Sequence, residues 1–171
     1  MQKLILTAIL AMLVSTSSFA KWDTSSTIDE MEGTASHHAR SEMSNARMYN
    51  RAAKTWMGVG CNNAGKFWVY FGFTSQPNIT GDKTKSGYSE SFNKVKFDDS
   101  ATGNWNMTQA HGSKFLHVMS DAKFIQKLNT SSKVKIQLSL YSQGKTVFNY
   151  DLSGSTAAIK SIMSKCGIAG S

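Results

Sequence analysis

Two cysteines, Cys61 and Cys166, are the only ones in this 171-residue chain, and they stand far apart. What they can do depends on the compartment, and the first twenty residues speak to that. Gln2-Lys3 supplies a charged start, Leu4 to Val14 is an unbroken run of mostly apolar residues, and Ser18-Phe19-Ala20 sets small residues at the −3 and −1 positions. This is the pattern of a secretory signal cleaved after Ala20. The apolar run falls short of the roughly 20 residues that span a bilayer, and no second run follows, so no stable membrane span is expected. The mature product is expected to be periplasmic or secreted. In an oxidising compartment an even cysteine count reads as a disulfide. A bridge closing a loop of about 100 residues removes unfolded-state entropy worth up to about 4.7 kcal/mol in the chain-entropy treatment.

Local patterns support the pairing of Cys61 with Cys166. Ser155 to Cys166 places Ile159, Ile162, Met163 and Cys166 on one helical face. Ser155 is positioned to cap the start, and Gly167 sits where a left-handed C-terminal cap is wanted. Cys61 ends the run Trp56-Met57-Gly58-Val59-Gly60 and opens the turn Asn62-Asn63-Ala64-Gly65. The bridge should therefore fasten the last helix to an early strand.

Between those points the apolar residues recur mainly at period two. Thr55 to Cys61 and Lys66 to Phe73 form a hairpin pattern, and the second run is apolar on both faces, as a central strand requires. Tyr88 to Asp98, Ser113 to Met119 and Lys133 to Tyr141 alternate as well. Thr146 to Leu152 pairs with the last of these across Ser142-Gln143-Gly144-Lys145. Ser120-Asp121 caps a short helix that buries Phe124, Ile125 and Leu128. The expected fold is mainly β (α+β), a small antiparallel β sandwich or barrel of six or so strands with two or three short capping helices. Residues 1–20 are the signal peptide and residues 55–171 the β-rich, disulfide-stapled domain. Residues 21–54 read as a polar N-terminal segment, partly mobile or helical, because Ala39, Met43 and Ala46 recur at i, i+4 and i+7.

Composition excludes broad disorder: 40% of the residues are hydrophobic and 11% aromatic, enough for a core in a chain of this length. The charge is basic, with 19 Lys and Arg against 11 Asp and Glu. The excess falls in residues 101–171, whose lysines are scattered singly. Scattering and export both argue against nucleic acid as a partner, and a basic, solvated surface is the simpler reading.

Several short elements, taken in order, resemble a known family. Trp22 followed by Ser25, Ser26 and Asp29 opens the series, and a strand then leads into Cys61. Lys66 to Tyr70 follows, then Val95-Lys96-Phe97-Asp98 ahead of Trp105. Phe148 precedes Leu152-Ser153-Gly154, and Ala157-Ala158-Ile159 leads to Cys166. This order is similar to the VasI/TagO-like proteins, small exported proteins associated with type VI secretion. The resemblance implies a periplasmic β-rich domain with a disulfide, an accessory role and no catalytic residues. Residues 34–54 are longer than that pattern, and Gly60 stands where a basic residue is expected before Cys61.

No catalytic constellation stands out. Four histidines, His37, His38, His111 and His117, lack the spacing of a zinc site, and no metal or cofactor is expected. Serines are common but none lies in a nucleophile elbow, and no pair of carboxylates is singled out among Asp29, Asp98, Asp99 and the others. Asp29 reads as a turn or capping group. Trp56, Trp68, Tyr70 and Tyr88 could line a groove, although aromatics in alternating strands more often make sheet or core contacts. Trp105, in a polar turn region, and Trp22, just past the cleavage site, are the candidate partner-facing anchors. The expected function is therefore a non-enzymatic accessory protein binding an envelope or secretion-system protein. The alternative is a binding module or inhibitor directed at a cell-wall glycan or hydrolase, with a hydrolase of unfamiliar cleft behind both.

Overall fold

The computed structural model describes residues 22–81 and 83–168. The expected signal peptide and expected cleavage point after Ala20 lie outside the described residues. The chain runs through β1 (Trp22–Asp29), β2 (Thr34–Ser41), β3 (Ser44–Met48), β4 (Arg51–Asn62), β5 (Phe67–Phe73), β6 (Lys83–Lys85), β7 (Tyr88–Phe97), β8 (Gly103–Ala110) and β9 (Phe115–Val118). Helix α1 (Asp121–Asn129), strands β10 (Lys133–Leu140) and β11 (Gly144–Asp151), and helix α2 (Ser155–Lys165) complete it. The mainly β character with short helices is as the alternation predicted, and the strands exceed the expected number.

All strands join one antiparallel sheet in the order β1-β2-β4-β5-β9-β8-β7-β10-β11. β4 is long enough for β2 and β3 to pair end to end along the edge opposite β5. The sheet folds over so that its inner faces meet. Phe71 and Phe73 of β5 pack on Tyr150 and Phe148 of β11, with ring centroids 5.2 and 5.3 Å apart. Deep in that contact the Thr55 and Tyr150 hydroxyls share a hydrogen bond of 2.7 Å; burial drives the Tyr150 phenol far above its ordinary pKa. At the open end Trp22 Nε1 donates to Asp151 O, tying the first strand of the path to the last.

Both helices form where their apolar spacing predicts. α1 buries Phe124, Ile125 and Leu128, and Phe124 sits among Phe71, Phe97 and Trp105. α2 buries Ala158, Ile159, Ile162 and Met163 and packs over β1, β2 and β4 beside α1. Neither start uses the expected serine cap. Ser120 makes no side-chain cap bond, and α2 is capped by left-handed Gly154, which pushes Ser155 into the interior. The end of α2 does follow expectation. Gly167, at φ +67°, lets its N–H reach Ser164 O and the Ile168 N–H reach Met163 O, the paired bonds of a Schellman motif. Immediately before Gly167, Cys166 is joined to Cys61, Cα to Cα 6.2 Å, across 105 residues.

Residues 34–54 are not helical. They form β2, β3 and the start of β4. Met43, the middle of the supposed helical stripe, is 41% exposed in the bend between β2 and β3. The residues that face inward on β2 are instead Ala39 and Ser41, two apart. Residues 22–29 are strand as well, since β1 pairs with β2 from Trp22 opposite Ser41 to Asp29 opposite Thr34.

Candidate functional site

On the outer face of β4 and β5, three glycines stand directly opposite three aromatics. Trp56 faces Gly72, Gly58 faces Tyr70, and Gly60 faces Trp68. Each ring lies over its glycine so closely that a Cβ there would meet ring atoms at 2.2 to 2.4 Å. The missing side chains let the rings settle onto the backbone, the pairing that holds a glycine-weakened strand together. A strand with alternate glycines would otherwise lose stability. Here the same glycines seat an aromatic surface.

Neighbouring strands extend it. His38 of β2 meets Trp68 and Tyr70 edge-to-face at 5.7 and 6.0 Å. Phe115 of β9 meets Tyr70 and Trp56 in the same way at 5.8 and 6.1 Å, and His117 tilts against Tyr70 at 6.3 Å. The result is a continuous row, Trp68, His38, Tyr70, Phe115, Trp56, crossing four strands. Tyr70 is buried at its centre, Trp56 and Trp68 are half-buried, and Phe115 is 41% exposed. Edge-to-face geometry favours such contacts beyond area burial.

The row is electrically quiet. Burial lowers the His38 pKa, and its neighbour His37 lowers it further; burial alone lowers that of His117. Both imidazoles therefore favour the neutral form at neutral pH. Burial raises the Tyr70 phenol, opposed in part by the exposed Arg40 guanidinium on the same face of β2. The surface can stack, bury apolar area and offer one cation. His37 points to the other side of β2 and hydrogen-bonds Ser26. Among the described residues, no three His, Cys, Asp or Glu side chains gather into a group that could hold a metal ion.

The residues favoured by sequence lie elsewhere. Trp22 is buried and hydrogen-bonded to Asp151 O, so it docks rather than projects. Trp105 belongs to β8, not to a turn, and packs half-buried on Phe124 at 4.8 Å and Phe97 at 6.3 Å. Its free side borders an open hollow of about 530 Å³ shared with Lys123, Gln126, Lys127 and Thr130. Asp29 accepts from the Met31 and Glu32 N–H groups in the β1–β2 turn. These three are not brought together. Asp98 accepts from Ser132 N–H, Ser132 Oγ and Lys133 N–H, which binds the end of β7 to the start of β10. The signal for the aromatic row was present in the sequence as glycines interleaved with aromatics at period two, Trp56-x-Gly58-x-Gly60 against Trp68-x-Tyr70-x-Gly72.

No protein-family model matches the chain, and no curated protein matches it by sequence. Its architecture has a solved counterpart. The fold is similar to that of invasion associated protein B from Bartonella henselae. The two superpose with a TM-score of 0.51 over 85% of this chain and 94% of the Bartonella chain, at 14% sequence identity. At that identity the likeness to the Bartonella protein is one of fold. Among the described residues, no helix is long and apolar enough to cross a membrane.

Proposed function

We propose that this chain is an exported accessory protein that works by binding rather than turnover, and that the outer aromatic row takes its partner, a protein of the envelope or of a secretion system. The observation that carries this reading is the row itself. Five rings are held in contact on a sheet face, three of them seated on glycines, with Phe115 41% exposed and Trp56 and Trp68 half-buried. Contact hot spots are enriched in Trp, Tyr and Arg, and rings already fixed in place lose little entropy when a partner closes over them. Arg40 completes that composition at the margin of the row. The leader-like first twenty residues and the Cys61–Cys166 bridge support export into an oxidising compartment. The ordered resemblance to VasI/TagO-like proteins supports a role beside a type VI secretion system.

A second reading has one observation in its favour. Trp56 and Trp68 are indoles lying over glycines at the two ends of the row, an arrangement on which sugar rings of a cell-wall glycan could stack. The two readings separate experimentally. Affinity purification from crosslinked envelopes, using the native chain and a Trp56→Ala/Trp68→Ala/Phe115→Ala variant, should recover one specific protein with the native chain only. Recovery of the same protein by both refutes the row as the contact surface. Retention on purified cell-wall glycan by the native chain alone moves the assignment to the second reading.

A further inference from the structure

The outer face of β7, β10 and β11 has a different character. It carries Lys94 and Lys96 from β7, Lys133 and Lys135 from β10, and Lys145 from β11. Lys133 is answered by Asp99 at 3.7 Å and stands opposite Asp151. Among the described residues, none of the other four is paired with a carboxylate. Lys96 lies directly opposite Lys135 in the β7–β10 ladder, and Lys94 opposite Gln137. Like charges facing each other across a ladder destabilise it.

Two ordinary explanations fall short. Lysine guards exposed sheet edges against unwanted pairing, which suits Lys145 on the terminal strand. β7 and β10 are paired on both sides, so Lys94, Lys96 and Lys135 guard nothing. Solubility requires charge but not an uncompensated cluster in mid-sheet. The same face also exposes large apolar groups, Phe92 at 63% and Val147 at 50%. Lys94, Lys96, Lys135, Gln137 and Val147 border an open, shallow depression of about 290 Å³.

We propose that this face docks on an anionic phospholipid surface. The lysines are spread over three strands instead of converging on one point, and the depression is open. No charged side chain is buried within it to grip a single small anion. An extended negative surface matches such a layout, and Phe92 and Val147 can enter the headgroup layer beside the lysines. The inner side of β11 packs against β5, so this face and the aromatic row look away from one another. A molecule resting on lipid through its lysines therefore still presents the row to a partner.

The test uses the mature, oxidised chain and co-sedimentation with vesicles of phosphatidylglycerol mixed with phosphatidylethanolamine. Binding is expected, weakening as salt rises, and absent on phosphatidylcholine alone. Each lysine near such a surface is worth roughly fivefold in partitioning, so Lys94→Gln/Lys96→Gln/Lys135→Gln should reduce it about a hundredfold. Lys123→Gln/Lys127→Gln, on the exposed side of α1, should leave it unchanged, and thermal melts of both variants report their folding. Equal binding to phosphatidylcholine, undiminished binding by the triple variant, or binding to soluble polyphosphate without binding to vesicles would each overturn the proposal.

Discussion

Gly58→Ala tests how the aromatic row is built. An added Cβ would lie 2.3 Å from Tyr70 Cζ and 2.5 Å from its hydroxyl oxygen, where ordinary contact begins near 3.4 Å. Tyr70 cannot swing aside cheaply. It is 7% exposed and held by His38, Phe115 and His117 at 6.0, 5.8 and 6.3 Å. Overpacking of this kind costs about 1–3 kcal/mol, while replacing a strand glycine by alanine returns about 0.5–1 kcal/mol of backbone entropy. The net expectation is a loss of roughly 0.5–2 kcal/mol, a few degrees in Tm for a domain of this size. Gly60→Ala should cost less, because half-buried Trp68 leans on His38 and can lift toward solvent. Urea unfolding of the two variants, followed by tryptophan fluorescence, gives the comparison. A cycle with Tyr70→Ala then isolates the clash, since Gly58→Ala should cost nothing once the ring is gone. A Gly58→Ala protein as stable as the native one, or a cycle additive within about 0.5 kcal/mol, would refute the reasoning.

Three further outcomes follow from the same structure. Phe124 is fully buried among Phe71, Phe97 and Trp105, so Phe124→Ala should lose about 3–5 kcal/mol in equilibrium denaturation. The Ser132 hydroxyl, with the Ser132 and Lys133 N–H groups, holds the Asp98 carboxyl below its ordinary pKa. Because the folded value lies below the unfolded one, that contribution is complete above the unfolded pKa and lost as pH falls through the folded pKa. The stability difference between the native chain and Asp98→Asn should therefore shrink on acid titration; a difference independent of pH would contradict it. Reducing the Cys61–Cys166 bridge should lower the urea midpoint substantially, with about 4.7 kcal/mol as the ceiling for a loop this long. Intact-mass measurement without reductant should find no free thiol.

The parts of this fold that could be read from sequence are those whose own side chains carry the pattern. β10 alternates unambiguously, β5 is apolar on both faces as a central strand must be, α1 and α2 carry apolar faces, and Gly167 marks an end. The bridge follows from compartment and helix phase. β2 and β3 could not be read this way because their strand identity comes from their partners. Thr-Ala-Ser-His-His-Ala-Arg-Ser buries little of its own and is held by ladders to β1 and the long β4. β8 was obscured similarly, since its inward positions are only Trp105, Met107 and the buried polar Gln109, too short an apolar alternation to stand out from the turn residues before it. Trp56, Trp68 and Tyr70 were legible as groove candidates but not separable from core residues, for another reason. Outward aromatics on a strand look like core until the facing strand supplies glycines, and that depends on the register of β4 with β5.

The most direct measurement is site-specific photocrosslinking in intact cells, with the photoreactive residue placed at Phe115 in the row and, separately, at Gln126 on the exposed side of α1. If the aromatic row is the contact surface, position 115 gives a discrete crosslinked protein that disappears in Trp56→Ala/Trp68→Ala, and position 126 does not give it. The same adduct at both positions, or its persistence in the double variant, would contradict the account.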